Sequence, residues 1–179
     1  LLAEEKHRGT MELLLTHPLR DRDIILGKYF ASLAMAFLLM IIVGVHMGLV
    51  AWLTTVEPAV LVFGLLAVFL MSAAFLSLGL FISAATRNQV TAATVTLGAF
   101  FLSYVLGSMG KDLSPVNPAP ESWSEGVRNM VGFVYGLFHQ IVQELPVDAH
   151  ARNMTQGIVE PADLAYYVVI AAFFLFLTD

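Results

Sequence analysis

The residues of this chain that could do chemistry are five histidines and a scatter of serines, with no cysteine among 179 residues. His46 is the one titratable residue deep in an apolar run; alone there, it reads as a side chain hydrogen-bonded to a neighbour rather than as part of a proton relay. Ser72, Ser77 and Ser83 lie in apolar runs without the histidine, paired carboxylates or metal cluster that an intramembrane protease would need. His139 and His150 stand near Glu144 and Asp148, but their spacing matches no tight ligand pattern, so they read as solvated surface residues. The chain has no GxxxxGK[ST] loop to cradle a nucleotide. The absence of cysteine removes disulfides, thiolate metal sites and cysteine nucleophiles. Catalysis is therefore not the expectation.

The elements that hold these residues are membrane spans. Hydrophobic residues make up 58% of the chain and charged residues 13%, the composition of an integral membrane protein. Nothing suggests nucleic-acid binding, and the net charge of -5 carries little information, because loops on the two sides of a membrane must be counted separately. Residues 24–54 form an almost unbroken apolar run, about 46 Å long as a helix against roughly 30 Å of hydrocarbon, so this span must tilt or project. Asp21 or Asp23 can cap its start, Lys28 can snorkel, and Trp52 sits where an aromatic belt residue belongs. Residues 59–85 and 90–109 read as second and third spans, and 161–177 as a fourth of barely sufficient length. The expected fold is an all-α integral membrane protein: a helical bundle of about four transmembrane helices with a short cytoplasmic helix and short extracytoplasmic helices.

Six of the nine basic residues, Lys6, Arg8, Arg20, Arg22, Lys28 and Arg87, fall in the first segment and the second turn, whereas the turn at 55–58 has none. That asymmetry predicts a cytoplasmic segment 1–23, spans within 24–109, an extracytoplasmic loop 110–160 and a last span 161–179, in a multi-pass protein of the cell (inner) membrane. The loop has a Pro-rich entrance at 114–120 and then an apolar stretch broken by Gly132, Gly136, His139 and Pro146. One or two short helices lying on the outer face or dipping partway in are expected, the alternative being an ordinary fifth span. Asn153-Met154-Thr155 matches a glycosylation acceptor, a pattern too short to carry weight.

The first three spans have no Asp, Glu, Lys or Arg in their central portions, which argues against ion-coupled transport. Their weak amphipathicity argues against a channel. Gly44 with Gly48, and Gly79 with Ser83, have the small-xxx-small spacing that lets helix backbones approach, and mark packing faces. Upstream, EEKHRGTMELLLTHP at 4–18 is charged and helix-forming, with too few leucines to cross a bilayer. Gly9 can end one helix and Thr10 cap the next, Glu12 suits its first turn, and Pro18 stops it by His17. The product is a two-turn helix that offers Met11, Leu14 and Leu15 to a partner, or else rests on lipid; its acidic residues disfavour the negative inner leaflet.

The stretch EEKHRGTMELLLTHPLRDRDIILGKYFA at 4–31 closely resembles the cytoplasmic loop and following span of ABC exporter permeases of the gliding-motility type, a class with six spans per subunit. The matching residues are Glu5, Arg8, Gly9, Thr10, Glu12, Leu14, Leu15, Thr16, Pro18, Gly27 and Lys28. ISAATRNQVTA at 82–92 and HARNMTQGIVEPADLAYY at 150–167 resemble the family's middle turn and the entry to its last span. The resemblance implies that the chain, which opens at Leu1 without Met, is a fragment preceded by two further spans. It also implies a second permease subunit, identical or related, and a separate ABC ATPase subunit that holds ATP and Mg, with no cofactor on this chain. The 9–16 segment would then be the coupling helix seated in the ATPase, with Met11 on its face. A non-transporting membrane anchor or scaffold is the rival reading.

Overall fold

The computed structural model describes residues 21–55, 57–110 and 113–179. The segment expected to couple to an ATPase, from Glu5 to Pro18, lies outside the described residues. Among the described residues the fold is all helical, with four helices long and apolar enough to cross a membrane. These are α1 (Asp21–Leu53), α2 (Pro58–Ala85), α3 (Gln89–Met109) and, after two further helices, α6 (Pro161–Thr178). Between α3 and α6 lie α4 (Glu125–Glu144) and the single-turn α5 (Ala151–Thr155).

Local chemistry marks each boundary. Pro58 and Pro161 stand in the first turns of α2 and α6, where a missing N–H costs no helical hydrogen bond. Asn88 caps α3, its Oδ1 accepting from the Val90 N–H at 2.9 Å. Within the spans, hydroxyls bond back to the carbonyl one turn earlier, as Ser32 does to Lys28, Ser72 to Val68 and Thr96 to Ala92. They thereby need no water in an apolar surround.

The helix α2 is the hub. It packs against α1, α3, α5 and α6. Two clusters hold it in place. Near the end bearing Arg22 and Arg87, Ile25 and Tyr29 of α1 meet Leu80 with Leu175 of α6 alongside. The Tyr29 hydroxyl there donates to the Ala73 carbonyl at 3.2 Å. Arg22 reaches across to Asp179 at 2.6 Å, joining the start of α1 to the end of α6. Toward the other end, Ala67 and Ala74 pack with Val147, Met154 and Tyr167.

That second cluster contains residues of the long connection, which therefore does not stay at the surface. The Val147 N–H donates to Ser103 Oγ at 3.1 Å, and Ser103 lies six residues, about 9 Å, inside the end of α3. The 145–150 turn thus re-enters the bundle between α3 and α6, where side chains satisfy the Val147 N–H and the Leu145 and Val147 carbonyls, and local backbone bonds satisfy the Pro146 and Asp148 carbonyls. The 20-residue α4 is not among the helices apolar enough to span, and it packs on α3 through its last turn, where Gln143 Nε2 donates to the Gly110 carbonyl at 3.1 Å. After α5 the chain turns back at Gly157, whose φ of 86° and close approach to Val60 suit a residue without Cβ.

Candidate functional site

Three features converge where the connection enters the bundle: a polar cluster, a cavity beneath it and a groove beyond. The cluster is built on the first two turns of α6. Asp163, Tyr166 and Tyr167 recur at helical spacing, so they share one face, and Asp163 in the first turn also suits the positive end of the helix. Each tyrosine holds the turn by its main chain: Tyr166 Oη donates to the Leu145 carbonyl and Tyr167 Oη to the Val147 carbonyl, both at 2.7 Å.

His150 closes the arrangement. Its Nδ1 lies 2.9 Å from Asp163 Oδ1 and its Nε2 lies 3.1 Å from the Glu144 carbonyl, while its ring stacks on Tyr166 with centroids 3.7 Å apart. Only 14% of its side chain is exposed, so the expectation of a solvated surface histidine is overturned for this residue. The reason is that the connection folds inward, a long-range event that local spacing does not encode. Arg152 donates to the Gly107 carbonyl, and the Asp148 carboxylate lies against Gly107, where a Cβ would displace it. Among the described residues, Asp148 Oδ1 and Asp163 Oδ2 are buried with no hydrogen-bond partner, and no group of three or more His, Asp or Glu could hold a metal ion.

Directly beneath the turn lies an apolar cavity of about 210 Å³, roofed by Leu145, Pro146 and Val147 and floored by Phe75, Leu78 and Phe174. A larger groove of about 700 Å³ opens between α1 and α3 across α2, and it mixes Ser72, Ser83, Gln89 and Thr96 with Phe75 and Phe100. Phe75 borders both spaces, and its ring lies 4.2 Å from that of Phe100. One aromatic pair thus stands at the boundary between groove and cavity.

Of the residues singled out for helix packing, Gly79 and Ser83 line the groove, with Gly79 in contact range of Thr96 on α3. Gly44 faces Leu65 of α2, whereas Gly48 has no neighbouring atom where a Cβ would stand. His46 is exposed on α1. Sequence reasoning missed Asp163, Tyr166, Tyr167 and Arg152 as one assembly. The available signal was an acid and two polar-tipped aromatics at helical spacing at the entrance of a span, since such groups must find partners when buried.

The comparisons with known proteins agree with this architecture. Over 110 residues the chain is 36% identical to the probable multidrug ABC transporter permease YbhS of Escherichia coli K12, and the same holds for its counterpart in strain O157:H7. The match covers 59% of this chain and 28% of the relatives, so the chain spans less than a third of their length. No solved structure matches. Residues 1–178 match the family described as ABC-2 family transporter protein. With the match running almost end to end over a bundle of span-length helices, the chain belongs to the ABC-2 transporter family.

Proposed function

We propose that this chain is part of the membrane-spanning permease of an ATP-driven exporter of the gliding-motility type, moved by a separate ATPase subunit and reacting with nothing itself. The observation that carries the reading is the pair of voids meeting at Phe75, which together run from the Gln89 end of the groove to the re-entrant turn. Two voids that share an aromatic wall and end under the re-entrant turn suit alternating opening of their two ends. The distribution of basic residues supports an orientation with the Arg22 and Arg87 end toward the cytoplasm and the re-entrant connection outward. The family and the printed name of the relatives support transport. The mixture of hydroxyls and aromatic rings in the groove favours amphiphilic organic molecules, in line with a multidrug relative.

In this reading the 9–16 segment couples to the ATPase, which holds ATP and Mg, and α1 carries the push into the bundle beside a second permease subunit and lipid. The outer connection is the exit gate, the cavity below its tip being the space into which it closes. The experiment replaces Leu14 and Leu15 with Asp in the full-length permease co-expressed with its ATPase. Loss of co-purification, or ATP hydrolysis that no longer responds to the permease, is expected. Intact assembly with permease-stimulated hydrolysis would overturn the coupling role, and an unsubstituted permease that brings down no ATPase would favour a passive anchor.

A further inference from the structure

We propose that His150 fixes the re-entrant turn to α6 only while its ring carries two protons, and that loss of one proton to the outer solution frees the turn. The inference starts from the partners. A carboxylate oxygen faces Nδ1 at 2.9 Å and a main-chain carbonyl faces Nε2 at 3.1 Å, and neither of these acceptors can donate in return. A neutral imidazole has one N–H and one lone pair, so it satisfies one of the two contacts and sets its lone pair against the oxygen of the other. The imidazolium donates to both.

Acidic groups face the ring from several elements. On α6, Asp163 contributes a second, unpartnered oxygen and Tyr166 stacks on the ring; Tyr167 stands edge-on at 6.5 Å. On the turn, the buried Asp148 Oδ1 has no partner among the described residues. On α4, Glu144 Oε2 lies 4.0 Å from Nε2. On α5, Arg152 is directed to the Gly107 carbonyl. The helix α2 contains no ionisable side chain, and α3 contains only the exposed Tyr104. Acidic oxygens thus surround a ring whose two nitrogens both meet acceptors. His150 does not line the cavity and acts as a positioning residue through the turn at 145–150, whose residues Leu145, Pro146 and Val147 roof it.

The consequence for transport rests on the exit-gate reading, but the latch can be tested apart from it. Met154 is fully buried in the cluster that includes Val147 and Tyr167. A cysteine in its place, in the full-length permease with its ATPase, is labelled from outside with a membrane-impermeant thiol reagent. The rate is divided by that of a cysteine at the exposed Ser122, which cancels the reagent's own pH dependence. Between about pH 5.5 and about pH 8.5, on either side of the imidazole range, the ratio is expected to rise about tenfold, the factor one charge-assisted hydrogen bond commands. His150→Gln should give the high ratio at both pH values. A flat ratio in the unsubstituted background, or a pH response that survives H150Q, would overturn the proposal. Should H150Q fail to assemble, His139→Gln decides: its profile must superimpose on that of the parent, and a lost response would assign the proton to His139. Export measured at the same two pH values reads the gate separately. A moving ratio with unchanged export would uphold the latch and remove the exit-gate reading.

Discussion

Tyr166 and Tyr167 make the same bond to the turn, yet their settings differ, and burial decides what each is worth. Tyr167 and its acceptor residue Val147 are both buried, while Leu145, which accepts from Tyr166, is more than half exposed. Replacing Tyr167 with Phe leaves a buried carbonyl without a donor, a loss of about 1–3 kcal/mol. The same change at Tyr166 lets water take the place of the hydroxyl and should cost less. Thermal unfolding in detergent ranks the two; equal losses would mean that the Val147 carbonyl finds another partner. None of this was legible residue by residue. His150 and Asp163 stand 13 positions apart across a helix, a glycine turn and a proline, so their pairing depends on the tertiary path of the chain. The expected exposure of His150 followed from the spacing of its neighbours in sequence, which reports the polarity of a segment but not its depth.

The spans, by contrast, were legible as elements, because an apolar run bounded by Pro58, Arg87 and Pro161 has few other ways to fold in a bilayer. The helix α4 was less so. Its apolar and polar arcs are distinct, but they point the opposite way from those of a soluble helix. The arc of Arg128, Gly132, Tyr135 and Val142 faces the protein, with Tyr135 Oη donating to the Ser114 carbonyl at 2.6 Å and Asn117 to the Arg128 carbonyl at 3.0 Å. Met130, Phe133, Val134 and Ile141 face away. Amphipathic spacing gives the two faces without saying which one meets the protein. Such a face should lie in acyl chains. A tryptophan at Phe133, with Trp52 and Trp123 replaced by Phe, should be quenched by brominated lipid; emission unaffected by the bromines would place α4 in water or against a partner protein.

Across the whole molecule, packing rather than charge sets the stability of the bundle. The Arg22–Asp179 pair is short, but Arg22 is 71% exposed, and such pairs contribute at most about 1 kcal/mol. Leu80, buried between α1 and α6, is different: Leu80→Ala should cost about 2 kcal/mol or more through the void it leaves. Unfolding of Arg22→Ala and Leu80→Ala side by side checks the order, and a larger loss at Arg22 would mean that the ion pair, not the cluster, ties α1 to α6. Where α2 meets the re-entrant turn and α6, its most deeply buried positions are small, Ala67, Ala74 and Ser77, flanked by the half-buried Leu70, Met71 and Phe75, with the Ser77 hydroxyl turned back onto its own helix at 2.7 Å. That strip works as a narrow bearing: none of its three small side chains reaches another helix with a hydrogen bond, so neighbours can shear along it by fractions of a turn. Bulk flanks the strip from both sides of the contact, Leu70 and Met71 on α2 and Tyr167 and Met154 on its neighbours, and holds the slide to small steps.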